Sequence, residues 1–172
     1  MCGEILTIIL TIIQTISIVL GVVIAIITLI SDHKRRKRQA TMDYYLQISE
    51  KTLPLRNDIR DVFKSEVIYP TDERYKPKEM QRTIRQLLSS YEHLAVGINH
   101  NVFDLEVFMR MSGKVYIDWY YRLEHVIESK RKANPSTYSD FEQLAEKMQQ
   151  MYGDEYVPRF KQVPPPNQEE FD

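Results

Sequence analysis

Residues 5–30 read ILTIILTIIQTISIVLGVVIAIITLI, and residues 31–38 follow as SDHKRRKR. The first stretch contains no charged side chain and no proline, so as a helix it is long enough to cross the ~30 Å hydrocarbon core of a bilayer. Lys and Arg next to a span stay on the cytoplasmic side. The sequence therefore predicts a transmembrane helix over residues 5–30, with the N-terminus outside and the chain after it in the cytosol.

The basic segment over residues 31–38 supplies the orientation signal and a contact with anionic lipid headgroups, where each charge contributes about 1 kcal/mol. Its cationic members are Lys34, Arg35, Arg36, Lys37 and Arg38. A cleaved signal peptide is the first alternative, but its charge precedes a shorter apolar core and a small-residue cleavage site follows. A buried helix of a soluble core is the second alternative, and such helices seldom run this far without a charge.

Length and composition limit the part of the chain after the basic segment to one ordinary domain. The chain has 172 residues and a net charge of −1, which does not favour general binding to nucleic acid. The one cysteine, Cys2, cannot form an intrachain disulfide.

Polar and small residues in the span repeat every seven positions. One row contains Thr7, Gln14, Gly21 and Thr28, and a second contains Thr11, Ile18 and Ala25 between Glu4 and Asp32. A strict seven-residue repeat favours a left-handed supercoil of parallel helices, and small or polar residues allow close helix contacts in lipid. We name this face the heptad stripe: Thr7, Thr11, Gln14, Ile18, Gly21, Ala25 and Thr28.

The heptad stripe has three interpretations. It can assemble the protein into a parallel, cyclic homo-oligomer, and in a tetramer or larger ring it can also line a narrow pore with Ile18 as an apolar constriction. The third interpretation is a monomeric anchor, in which Thr and Ser hydroxyls bond to their own helix backbone.

After the basic segment, periodicity predicts an all-α cytosolic domain over residues 39–157, with the transmembrane helix continuing into a compact bundle. Pro54 is expected to end that first helix or to start the next one. Apolar residues at helical spacing predict buried faces, among them Ile84, Leu87, Leu88, Tyr91 and Leu94 in one helix and Val62, Met111 and Val115 in others. Asp104 is expected to cap the helix that follows it, and a break is expected near Gly113. A capping box is predicted at residues 139–142 and a Pro-rich, acidic, disordered tail over residues 158–172.

No catalytic, metal or cofactor motif is recognisable, so we expect a protein that is not an enzyme. Aromatic residues followed by cations near residues 116–132 suggest a ligand site that stacks and clamps a nucleotide or a short nucleic acid. Its candidate residues are Arg82, Arg85, Tyr116, Tyr120, Lys130 and Arg131. The alternative is a packed helix whose C-terminal cations favour the helix dipole.

Over residues 35–148 the chain resembles an uncharacterised family of small bacterial proteins with a single span and a helical cytosolic domain. The resemblance rests on Arg35-Arg36, Ala40-Thr41, Tyr91-Glu92, Ala95-Val96-Gly97-Ile98, Phe103-Asp104, Trp119, Arg131 and residues 141–145. The architecture is similar to that of membrane effectors in antiphage defence, among them the Hailong effector, an ion channel controlled by a nucleotide-based signal. This resemblance implies a gated pore in the bacterial inner membrane. The alternative is a non-conducting scaffold that recruits a cytosolic partner.

Overall fold

The computed structural model describes residues 2–161, apart from the side chains of residues 2 and 4–9. Four α-helices occur in chain order: α1 (Cys2–Phe63), α2 (Lys78–Asn99), α3 (Leu105–Arg131) and α4 (Ser139–Tyr152). A short 3₁₀ helix (Glu73–Tyr75) lies between α1 and α2. The described residues contain no strand, so the predicted all-α fold is confirmed.

The chain forms two compact units, residues 1–39 and residues 40–172, and α1 contributes residues to both. In the N-terminal unit every side chain from Leu10 to Ile30 is exposed. Among the described helices α1 alone is long and apolar enough to cross a membrane, judged by length and composition. A signal sequence near an N-terminus has similar properties.

The C-terminal unit has one hydrophobic core to which all four helices contribute. At its centre the ring of Phe141 lies 4.6 Å from the ring of Tyr116 and 5.3 Å from that of Tyr91. The residues that α1 adds are Ile48, Ile59 and Phe63. These large apolar and aromatic side chains bury enough area to stabilise helices that would be marginal alone.

The prediction that Pro54 ends the first helix is wrong, because α1 continues through it to Phe63. Proline removes one helical hydrogen bond and costs roughly 3 kcal/mol in a helix interior. Pro54 lies on the exposed side, whereas Thr52 and Ile59 on either side of it are buried. We infer that packing on both sides of the proline offsets the lost hydrogen bond.

The predicted capping box at α4 is also wrong, because Ser139 is already helical and Tyr138, at φ 58°, precedes it without a side-chain cap. Glu92 of α2 caps the N-terminus of α4 instead. Its carboxylate accepts hydrogen bonds from the backbone N–H groups of Asp140 at 3.3 Å and Phe141 at 2.8 Å. A carboxylate from a neighbouring helix therefore satisfies donors that a local Ser and Glu usually take.

Other helix predictions have mixed outcomes. Asp104 caps α3 as expected, accepting a hydrogen bond from the N–H of Val107 at 3.1 Å. No break occurs at Gly113. A Cβ there would lie 2.5 Å from the Tyr152 hydroxyl, so the absence of a side chain at Gly113 leaves room for Tyr152 to pack against α3. The predicted apolar faces include three residues that are in fact exposed: Val62, Met111 and Val115.

The beginning of the predicted tail packs against α3. Pro158 is buried, and the Phe160 ring stacks 5.5 Å from the Arg122 guanidinium. The Arg159 N–H donates to the Asp118 carboxylate at 3.0 Å. Residues 158–161 are therefore part of the folded unit, and residues 162–172 lie outside the described residues.

Candidate functional site

The heptad stripe lies on α1 in the N-terminal unit. Six members, Thr11, Gln14, Ile18, Gly21, Ala25 and Thr28, are exposed, and the side chain of Thr7 lies outside the described part of the chain. A Cβ added at Gly21 would meet no atom within 4 Å. The stripe is thus an open face on which a second helix could approach closely.

Hydroxyl groups along the span bond to their own helix. Thr15 donates to the carbonyl of Thr11 at 2.8 Å, and Ser17 donates to that of Ile13 at 2.9 Å. Thr28, a stripe member, donates to the carbonyl of Ile24 at 2.8 Å. These groups therefore need no partner in a membrane, as the monomeric-anchor interpretation supposes.

Gln14 differs from these hydroxyl residues. Its exposed amide makes no hydrogen bond within the described residues. An amide left unpaired in hydrocarbon costs several kcal/mol, and an equivalent amide on a neighbouring copy would satisfy it. Among the stripe members, Gln14 therefore gives the strongest reason for association.

The basic segment is exposed except at Lys37, which is half-buried. Lys37 and Arg38 interact with other groups of the protein, so these two side chains are not fully available to lipid. Lys34, Arg35 and Arg36 leave a cationic surface next to the apolar run, as contact with anionic headgroups requires.

The two tyrosines predicted to stack on a ligand lie in the core instead. Tyr116 and Tyr120 are 2% and 3% exposed, and both rings pack edge-on against Phe141. The Tyr116 hydroxyl donates to the backbone carbonyl of Tyr91 at 2.8 Å. Burial raises the pKa of both hydroxyls. Neither ring offers an open face for a base.

Arg131, another predicted ligand residue, is engaged within the domain. Its guanidinium donates to the Glu142 carboxylate at 2.9 Å and to the backbone carbonyls of Thr137 and Tyr138. The Glu142 carboxylate also accepts from the Tyr120 hydroxyl at 2.8 Å. Arg131, foremost through its hydrogen bond, holds the pKa of Glu142 below its usual range. This pair joins α3 to α4.

The remaining predicted ligand residues are Arg82, Arg85 and Lys130. Arg82 and Arg85 are exposed on α2, and Lys130 on α3 is half-buried. Burial, together with the nearby positive charge of Arg85, lowers the pKa of Lys130. None of the three forms an ion pair within the described part of the chain, so a local excess of positive charge remains at this surface.

Among the cavities that border the described core of the C-terminal unit, a small one beside Arg56 and Tyr91 has a volume of about 10 Å³, far below the roughly 300–1,000 Å³ of a ligand pocket. An open groove of about 500 Å³ lies between α3, α4 and the segment after α4. Glu146, Asp154 and Lys161 line this groove, and none of the six predicted ligand residues does.

Sequence reasoning missed Arg122, which is 3% exposed in α3. Its guanidinium donates to the carbonyls of Lys64 at 2.5 Å and Glu66 at 3.0 Å, just beyond the C-terminal end of α1. The Arg122 carbonyl in turn accepts from Ile68 N–H at 3.0 Å. Burial, with the charge of Arg60, lowers the Arg122 pKa to about 10. The signal in the sequence that could have identified Arg122 was its charge among the apolar and aromatic residues of α3.

Within the described residues, no three His, Cys, Asp or Glu side chains are grouped so that they could hold a metal ion. No curated protein and no solved structure matches the chain. A family match covers residues 15–148, which is more than half of the sequence, and includes most of the span as well as all of α2 and α3. The chain therefore belongs to the uncharacterised family described as Domain of unknown function (DUF4760).

Proposed function

We propose that this protein is an oligomeric membrane effector of bacterial antiphage defence whose spans form an ion-conducting pore. The spans would cross the inner membrane with the N-terminus outside, and the heptad stripe would line the pore. The cytosolic domain would gate it in response to a nucleotide or a short nucleic acid. The architectural resemblance to the Hailong effector suggests the defence role, and it carries over no functional residue.

The observation that carries this proposal is the unpaired Gln14 amide on an exposed heptad row. Copies related by a symmetry axis would bring these amides together, where each interhelical hydrogen bond contributes about 0.6–2 kcal/mol. Thr11 and Thr28 would add wettable rings, and Ile18 would form an apolar constriction that closes by dewetting.

The surface with Arg82, Arg85 and Lys130 supports an anionic ligand, because it carries positive charge without carboxylate partners. The ligand-contacting set that we propose does not include Tyr116, Tyr120 or Arg131. Both tyrosines lie in the core, and Arg131 pairs with Glu142.

The deciding experiment is to record conductance across liposomes that contain the full-length protein, and membrane potential in cells that express it. We expect a current that Gln14→Leu abolishes while the amount of inserted protein stays the same. Thr15→Val is the matched control, because the Thr15 hydroxyl already bonds within its own helix. A stable membrane protein without current under every condition would refute the pore.

A non-conducting scaffold is the second candidate. Its support is that Pro158 and Phe160 pack against the domain, and that a Pro-rich sequence follows at residues 164–166. Proline-rich segments bind aromatic grooves of partner domains. Deleting residues 162–172 would abolish function in this case and would leave a pore conducting.

A further inference from the structure

An apolar surface remains uncovered on the part of α1 that belongs to the C-terminal unit. Met42, Leu46 and Leu53 are 43%, 62% and 50% exposed. They lie four and seven residues apart, so they share one face of the helix. Ile48 and Ile59, which α1 buries in the core of its own domain, lie roughly 120–140° away around the helix. The domain's own packing therefore leaves this apolar face free.

The uncovered face has the same seven-residue spacing as the heptad stripe. Counting back from Leu46 in sevens leads to Gln39, Asp32 and Ala25, and counting back from Met42 leads to Arg35 and Thr28. In the sequence, the same seven-residue spacing therefore links both rows of the stripe to Met42 and Leu46. In a straight α-helix, residues seven apart rotate around the helix axis by about 20° per heptad. A seven-residue repeat over such a length therefore stays on one face when parallel helices supercoil around each other.

We propose that Met42, Leu46 and Leu53 form a self-association surface, on which the same face of a second copy of this chain packs as a parallel coiled coil. The proposal rests on the proposed oligomeric function and extends it by naming the contact outside the span. Chains anchored in one membrane with one orientation present equivalent residues at equal height, so a heptad face meets itself.

Charge along the surface also favours a second copy. The two heptad rows between residues 39 and 53 are uncharged: Gln39, Met42, Leu46, Ser49 and Leu53. Two charged residues, Asp43 and Glu50, lie at the flanking positions. Identical charges would face each other at the centre of a symmetric contact, so an uncharged centre with charged flanks fits self-association.

Cross-linking of single-cysteine chains in liposomes tests the contact. In a Cys2→Ser background, Leu46→Cys and Leu53→Cys should each give covalent dimers with a short bismaleimide. Gln47→Cys and Lys51→Cys are exposed controls on other faces and should give at least about tenfold less product. Equal yields at all four positions would overturn the proposal.

A cysteine at Ile18 separates this inference from the proposed function. Cross-links at Ile18→Cys without cross-links at residues 46 and 53 would leave the oligomer standing and refute the cytosolic contact. No cross-link at any position would refute both.

Charge substitution gives an independent test on the full-length chain. Leu46→Glu with Leu53→Glu should raise the dissociation constant of the detergent-solubilised oligomer by about tenfold or more, because like charges would meet at its centre. Met151→Glu is the matched control, since Met151 is 56% exposed outside the heptad rows. An unchanged oligomer size for the double variant would contradict the proposal.

Discussion

The two units of this chain have similar apolar side chains and use them in opposite ways. In the N-terminal unit Ile24 is 61% exposed and Leu29 is 70% exposed, whereas in the C-terminal unit Ile59 and Leu87 are fully buried. The first arrangement suits a helix surrounded by lipid, and the second suits a core surrounded by water. The comparison shows that similar apolar side chains lie on the surface of one unit and in the core of the other, so residue type alone does not decide burial.

The largest expected effect on stability comes from replacing one apolar side chain by alanine in each unit and comparing the results. Phe141→Ala removes the ring at the centre of the core and should reduce the free energy of unfolding of the C-terminal unit by about 3–5 kcal/mol. Ile24→Ala, on the exposed face of α1, should leave it unchanged. Thermal unfolding followed by near-UV circular dichroism measures both. Equal destabilisation would contradict the separation into two units.

The next effect concerns the buried guanidinium of the C-terminal unit. Arg122→Met keeps an unbranched, apolar stem but removes the donors to the carbonyls of Lys64 and Glu66. We expect a loss of about 3 kcal/mol in urea-unfolding experiments, because both acceptors lose a buried partner. Arg82→Met, on the exposed face of α2, is the control and should stay within about 0.5 kcal/mol.

A smaller effect tests the cap that α2 provides for α4. Glu92→Ala leaves the N–H groups of Asp140 and Phe141 without their acceptor and should destabilise the domain by about 1 kcal/mol. Amide hydrogen exchange should increase first at these two residues. Glu79→Ala, an exposed change on the same helix, should alter neither quantity. Unchanged exchange at residues 140 and 141 would mean that Glu92 is not the cap.

The smallest effect is a pH dependence that only the folded unit can produce. Because Arg131 holds the pKa of Glu142 below its value of 4.5 in the unfolded chain, this pair stabilises the fold above that pH. The contribution is lost as the pH falls through the lower, folded-state pKa. Unfolding measured from neutral to acidic pH should therefore show a weaker decline in Glu142→Gln than in the wild type, and parallel curves would contradict the role of this pair.

Local pattern predicted most of the helices. The spacing of Ile84, Leu87, Leu88, Tyr91 and Leu94 indicated the buried face of α2, and all five are buried. Asp104 was identified as a cap because its side chain acts on residues next to it in sequence. These features depend on short-range periodicity or on neighbouring backbone groups, which a sequence displays directly.

Predictions failed where a distant residue competes with a local one. Glu142 was expected to complete a capping box, but Arg131 and Tyr120 take its carboxylate, and Glu92 takes over the cap. The sequence also could not distinguish a tyrosine that stacks on a ligand from one that fills a core. Tyr120 does the latter, because Phe141 lies against it.

The sequence by itself determined that this is an all-helical chain with one uncharged stretch long enough to cross a membrane, because composition and period are properties of neighbouring residues. The tertiary structure decided which arginines are used internally, which carboxylate caps α4 and which face of α1 stays uncovered. Those outcomes depend on packing between residues far apart in sequence, where burial and competition for hydrogen-bond partners select among groups that are locally equivalent.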